Sequence, residues 1–283
     1  RIISEANAWL KQSTTLHAPG RTALAEVVPS LMAELPRAGR ALIGLGGPPG
    51  TGKSTLARLL CAMLTHHDRP AALLSLDDYY LPRADRTALA GNEHPLFATR
   101  GAPGTHDLEL LLHDLNCLQR GTLGDLRLPR FDKATDDRSP VPGTWQGPIP
   151  EIIFLEGWCI GCPPGHGLRQ APAVNALEQE RDADGRWWMQ VCANMARYEQ
   201  RLHSLLDQRW LMLPPGWDAV VKWRWQQEQE LGERGRLKTW QEVRSFLATF
   251  ERLGRHIMAT GDRWADQVIR LGRNHRPRID RGP

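Results

Sequence analysis

Apolar and polar positions alternate along the 283-residue chain in two recurring kinds of run. Short unbroken apolar stretches at 41–46, 71–76 and 151–155 have the length and continuity of strands buried on both faces, and 210–213 and 267–271 are further candidate strands. Between them, Leu56, Leu59, Leu60, Met63 and Leu64 recur at i, i+3, i+4, i+7 and i+8, one face of a helix packed on a sheet. Leu108, Leu111, Leu112, Leu115 and Leu118 mark a second such helix, and 217–231 and 240–258 read as helical. Upstream, Leu24, Val27, Val28, Leu31 and Met32 keep helical spacing, which predicts a helical preface over residues 1–40, broken by Pro36 and Gly39. Residues 77–104 read as a loop rich in Gly, Pro and charge. Residues 128–150 read as a polar loop with five prolines, too long for a mere connector. The stretch 165–208 is mostly helical and polar, which suggests an insertion. Strands alternating with helices predict an α/β fold, a doubly wound parallel sheet flanked by helices. The expected layout is a domain over 41–275, the preface before it and a basic tail at 276–283.

Composition narrows the picture. With 41% hydrophobic and 24% charged residues the chain can bury a sizeable core. No apolar run reaches the length of a membrane span, and residues 1–10 lack the order of a secretory signal. Five cysteines without a disulfide-framework spacing suit a reducing cytoplasm, the expected location. Cys159-x-x-Cys162 has no second pair to complete a four-ligand metal site, so both read as small half-buried residues after a strand. A net charge of +4 and a pI near 9.0 fit a protein that handles polyanions, nucleic acid or ATP. The basic residues are dispersed apart from Arg270, Arg273, Arg276, Arg278 and Arg281, which read as a solvated end, so no nucleic-acid partner is expected. Trp187, Trp188, Trp223 and Trp225 lie among helix formers and read as packing residues.

The chemistry concentrates where the apolar runs end. Gly47-Pro48-Pro49-Gly50-Thr51-Gly52-Lys53-Ser54-Thr55 satisfies G-x-x-x-x-G-K-[ST], after a strand and before a helix. Glycines let successive backbone N–H groups turn inward on phosphate oxygens, and the helix N-terminus adds positive potential. Lys53 would reach the β- and γ-phosphates of ATP, and the Ser54 hydroxyl would ligate Mg²⁺. Asp77 ends the second strand, where a carboxylate can face an attacking hydroxyl in line with the γ-phosphate. Glu156 ends the third, where an acid can hold Mg²⁺ directly or through water.

Gly47–Thr55, Ser75-Leu-Asp-Asp-Tyr-Tyr80 and Leu155-Glu-Gly-Trp158 resemble the uridine kinase, pantothenate kinase and phosphoribulokinase group of P-loop kinases. More narrowly, Thr99-Arg-Gly-Ala-Pro-Gly-Thr-His-Asp107, Leu128-Pro-Arg-Phe-Asp-Lys133 and Phe154-Leu-Glu-Gly-Trp-Cys159 resemble plant-type D-glycerate 3-kinases and their microbial relatives. Val221-Lys-Trp-Arg-Trp-Gln-Gln-Glu228 is similar to their lid helix. The resemblance implies that Asp77 is the general base, with Asp78 and Tyr80 beside it on the substrate. It implies that Arg100, His106 and Asp107 belong to a loop covering the acceptor, and that Arg130 and Lys133 lie in a segment that closes on it. Arg224 takes the place of a lid arginine that steadies the transferring phosphoryl group. Phe131 stands where many relatives have Tyr, and the 165–208 segment, with Asn175, Glu178 and Asp182, looks more microbial than plant. Glycerate needs a cation for its carboxylate and a base for one hydroxyl; Arg100, Arg130 and Lys133 are the available cations. The expected activity is therefore transfer of the γ-phosphate of ATP to D-glycerate, giving 3-phosphoglycerate. The alternatives are a kinase of another hydroxylated metabolite, uridine- or pantothenate-like, and a regulatory P-loop ATPase.

Overall fold

The computed structural model describes residues 1–14, 18–170, 172–232 and 237–280. Two helices, α1 (Ile2–Ser13) and α2 (Ala18–Glu34), precede β1 (Ala41–Gly46), α3 (Lys53–His66) and β2 (Ala71–Ser75). A 3-10 turn at Leu76–Tyr79 leads to α4 (Arg83–Asn92) and α5 (Leu108–Arg120). Four two-residue strands follow: β3 (Arg127–Leu128), β4 (Phe131–Asp132), β5 (Asp137–Arg138) and β6 (Gly143–Thr144). Then come β7 (Ile152–Glu156), α6 (His166–Gln170), α7 (Ala176–Arg181), α8 (Arg186–Arg201) and β8 (Gln208–Leu213). The chain finishes with α9 (Trp217–Leu231), α10 (Trp240–Thr260), β9 (Gln267–Leu271) and β10 (Pro277–Asp280).

The main sheet runs β10-β9-β8-β1-β7-β2, parallel throughout except for β10. Successive side chains on a strand point to opposite faces, and here both faces are covered. Ile43, Leu45, Phe154, Trp210, Met212 and Ile269 pack with α1, α2 and α3. Leu42, Ile153, Leu155, Leu211, Leu213 and Val268 pack with α5, α8, α9 and α10. That two-sided burial explains the unbroken apolar runs. β1 lies centrally, so the carboxyl ends of β1, β2 and β7 deliver the phosphate loop, Asp77 and Glu156 to one edge of the sheet. No helix among the described residues is long and apolar enough to cross a membrane.

The structure departs from the sequence reading in four places. The 77–104 segment contains α4, whose buried residue is Arg86 rather than an apolar side chain, so no hydrophobic period announces it. The 128–150 segment is pinned by two small antiparallel ladders, β3 with β6 and β4 with β5. Residues 277–280 are not a solvated tail but an edge strand on β9, opened by Pro277, where a missing N–H is tolerated; Arg281 lies outside the described residues. Cys159 and Cys162 are fully buried, not half-buried, and burial pushes the Cys159 thiol up to about 12.

Candidate active site

The phosphate loop owes its shape to backbone positions that other residues resist. Gly47 has φ +140, and a Cβ there would stand 2.4 Å from the Met212 carbonyl oxygen. Gly52, at φ +87, caps α3 from the left-handed region. Lys53 is 7% exposed, and its Nζ donates to the Pro48 carbonyl at 3.0 Å. Burial lowers its pKa, while Glu156 and Asp77 pull it back up. Ser54 Oγ donates to Glu156 Oε1 at 2.8 Å, and Ser75 Oγ donates to the same oxygen at 2.7 Å. The ends of α3, β2 and β7 are thus tied through one carboxylate.

Beyond the loop opens a cavity of about 250 Å³. Lys53, Ser54, Asp77, Tyr80, Arg100, Lys133, Glu156 and Arg224 all line it, with Pro49, Gly50, Gly52 and Thr55 of the loop. Asp77 Oδ1 accepts from the Tyr80 hydroxyl at 3.2 Å, and Asp77 Oδ2 meets Lys133 Nζ at 2.6 Å. Burial pushes the Asp77 carboxyl up, but Lys133, His106 and Lys53 outweigh it and hold the group well below the usual range. Arg100 is buried, paired with Asp136, and has its guanidinium 5.5 Å from the ring centroids of both Phe131 and Phe246. Arg224 comes from α9, pairs with the buried Glu228 and lies over Phe246.

Four residues expected on the substrate do not line this cavity. Asp78 accepts from the Phe131 amide at 3.1 Å and so anchors β4 to the turn that carries Asp77. His106 stacks on Tyr80 with ring centroids 4.4 Å apart, and its Nδ1 lies 2.8 Å from the Tyr198 hydroxyl. Gly104 N–H donates to that hydroxyl at 3.1 Å, and burial lowers the imidazole to about 3. Asp107 is the N-cap of α5 and accepts from Arg138. Arg130 is exposed and lies against Gly143. Asp78, His106 and Asp107 brace the site from behind.

Sequence reasoning missed Asp136, which takes Arg100 on one oxygen and Arg86 on the other while its carbonyl accepts from Arg86 at 2.6 Å. It also left the aromatic wall unassigned: Trp158, whose Nε1 donates to the Gly101 carbonyl at 2.8 Å, packs on Phe250. Phe246 and Phe250 sit four apart on α10, a spacing that puts both on one helix face. Outside the cavity, His94, Asp182 and Asp184 converge, with His94 Nε2 3.8 Å from Asp182 Oδ1. Asp182 accepts from the amides of Trp187 and Trp188, Asp184 from Arg186, and His94 Nδ1 from the Leu96 amide.

A second, larger cavity of about 1560 Å³ meets the loop from its other side and shares Gly50, Gly52, Thr55, Arg58 and Gln227 with the first. Its walls come from α1, α2, α9 and the turn after β9, where His275 stacks on Trp223 at 3.8 Å and its Nε2 lies 3.2 Å from the Gly50 carbonyl oxygen.

A parallel sheet with this loop at its central strand and a carboxylate facing the loop's lysine defines a P-loop kinase, an ATP-dependent phosphotransferase with an alcohol acceptor. An uncharacterized kinase of Schizosaccharomyces pombe is 30% identical over 205 residues, 68% of this chain and 72% of that protein. The chloroplastic D-glycerate 3-kinase of Arabidopsis thaliana is 28% identical over 224 residues, 74% of this chain and 46% of that protein. A solved D-glycerate 3-kinase of Cryptococcus neoformans shares the fold with a TM-score of 0.67 at 24% identity, covering 94% of this chain and 100% of that one. A scan against protein-family models finds no match. The chain belongs to this family of P-loop kinases, which includes D-glycerate 3-kinases and lies within the uridine kinase and pantothenate kinase group.

Proposed function

We propose that the protein transfers the γ-phosphoryl group of ATP to a hydroxyl of D-glycerate, giving 3-phosphoglycerate. One observation carries the reading: a small cavity bounded by the phosphate loop also holds Asp77, with Arg100 and Lys133 beside it. A carboxylate base next to two cations suits an acceptor that is both an alcohol and an acid. The name of the Arabidopsis relative supports the same acceptor.

In this reading the loop amides and Lys53 hold the β- and γ-phosphates, and the larger cavity takes the nucleoside. Ser54 and Glu156 offer hydroxyl and carboxylate oxygens at the loop, an all-oxygen set that fits Mg²⁺. They would hold the ion, which would withdraw charge from the phosphates. Arg100 and Lys133 seat the acceptor's carboxylate. Asp77 accepts the proton of the acceptor hydroxyl as its oxygen bonds to the γ-phosphorus and the bond from that phosphorus to ADP breaks. Arg224 offsets charge on the transferring group, and Trp158, Phe246 and Phe250 keep water from the acceptor's place. Asp78, His106 and Asp107 act behind these groups, holding the turn, the 99–107 loop and the hairpin in register.

The test is ADP release from the purified protein with Mg²⁺-ATP against D-glycerate, L-glycerate, uridine, pantothenate and sugar phosphates, with the product hydroxyl assigned by NMR. D-Glycerate should give the highest kcat/KM. Turnover of pantothenate or uridine without glycerate would replace the acceptor, and ATP hydrolysis indifferent to every acceptor would favour a regulatory ATPase.

A further inference from the structure

The cations of the active-site cavity differ in what holds them. Lys53 donates to the Pro48 carbonyl, Arg58 to the Ser54 carbonyl, and Arg100 and Arg224 pair with Asp136 and Glu228. Lys133 alone among these pairs with Asp77, the base of the proposed reaction, at 2.6 Å. An ammonium at that distance stabilises the ionised carboxylate and so weakens it as a proton acceptor. The second oxygen of Asp77 is engaged by the Tyr80 hydroxyl. For Asp77 to regain its basicity at Oδ2, Lys133 must leave.

The backbone around Lys133 is tied to the turn that carries its partner. The β4–β5 hairpin that carries Lys133 is bonded to the turn that carries Asp77, through Asp78 to the Phe131 amide and through Arg138 to the Tyr80 carbonyl at 3.0 Å. The Lys133 side chain itself is about half exposed, at 54%, and free to swing on its four-carbon stem. What can draw it off on the acceptor's side is another carboxylate, since exchanging one oxyanion for another leaves the ammonium as well paired as before. A neutral alcohol or water offers no such exchange.

We infer that Lys133 senses the charge of the acceptor: it holds Asp77 in an ion pair until an acceptor carboxylate, seated on Arg100, takes the ammonium and frees the base. The inference rests on the proposed role of Asp77 and on an acidic acceptor. It makes this kinase selective for acids by withholding the base from neutral alcohols and water, beyond any gain from binding the carboxylate.

The experiment compares wild type with Lys133→Met and Lys133→Arg in three assays of ADP release: D-glycerate as acceptor, glycerol as its neutral counterpart, and no acceptor. In Lys133→Met the preference for D-glycerate over glycerol in kcat/KM should fall by about 30-fold, the worth of a charge-assisted hydrogen bond. The glycerol rate and acceptor-free hydrolysis should both rise several-fold, since both gain a free base; a lost preference with neither rate raised would make Lys133 a carboxylate-binding cation only and overturn the inference. Lys133→Arg should keep the preference. Equal losses with both acceptors, and hydrolysis unchanged, would overturn the inference and leave Lys133 as a plain phosphoryl-binding cation. The two readings separate cleanly. Failure of wild type on D-glycerate with raised hydrolysis in Lys133→Met removes the acceptor and keeps the sensor; good D-glycerate turnover with an unchanged preference in Lys133→Met removes the sensor and keeps the acceptor.

Discussion

The nucleotide side and the acceptor side of the cavity are held together by different means. The phosphate loop is nine consecutive residues whose function lies in backbone conformation, with Gly47 packed against the Met212 carbonyl and Gly52 in the left-handed region. The acceptor side is assembled from side chains on the 76–79 turn, the 99–107 loop, the β4–β5 hairpin, α9 and α10. Ion pairs join three of these, Lys133 to Asp77 and Arg100 to Asp136, while Arg224 is held within α9 by Glu228. A backbone cradle binds the same phosphates whatever stands opposite. A side-chain pocket can be retuned by one substitution, which is how one fold serves several acceptors. If that division is right, each side can be damaged without the other.

The largest separation is expected at Asp77. Asp77→Asn should lower kcat by roughly 10²–10⁴, the usual worth of a positioned base, while ATP affinity measured by calorimetry changes little. A parallel loss of ATP affinity would show the two sides to be one unit.

A smaller effect is expected at Asp136, which stands at φ +57 with its carboxylate on Arg100 and Arg86. Asn tolerates that backbone region, so Asp136→Asn removes the charge without straining the chain. Arg86 keeps its bond to the Asp136 carbonyl, whereas Arg100 loses the anion that aims it. The KM for the acceptor should rise by about tenfold or more, as for a weakened charged hydrogen bond, with kcat and ATP affinity less affected. An unchanged KM would take Arg100 off the acceptor.

The same division explains what the sequence could show. The loop is contiguous, so its glycines, lysine and serine announced both fold and phosphate site, and Asp77 and Glu156 followed from the ends of apolar runs. Asp136 could not be found that way. It is one of three aspartates between 132 and 137, and its weight comes from a left-handed backbone and from an arginine 36 residues away. α4 was hidden because the side chain it buries is Arg86. The end strand β10 was hidden because an arginine-rich edge carries little apolar signal. Asp107 looked like a ligand because an acid in a motif and an acid capping a helix read alike until the amide of Leu110 is seen at 3.1 Å.

The smallest expected effect on catalysis, and a check on the whole comparison, comes from the 165–208 segment. Glu178 on α7 is 1% exposed, with Oε2 at 3.4 Å from both the Val174 amide and Arg252 Nη1, and Oε1 without a hydrogen-bond partner. Burial pushes its carboxyl from 4.5 up to about 7, more than Arg252 and the Val174 amide can offset. Between those values the folded protein binds a proton that the unfolded chain has released, so stability falls as pH rises from 4.5 to 7 and is level above. At about 1.4 kcal/mol per unit, the decline from this group amounts to roughly 3 kcal/mol. Glu178→Gln should lack that decline, so urea denaturation at pH 5 and pH 8 should show the variant losing less stability than wild type across the interval. Its KM for the acceptor and its affinity for ATP should match wild type, because Glu178 lines neither cavity. An altered acceptor KM would mean that α7 reaches the site through α10, where Arg252 lies two residues from Phe250, and the acceptor side would then extend beyond the ion pairs that frame it.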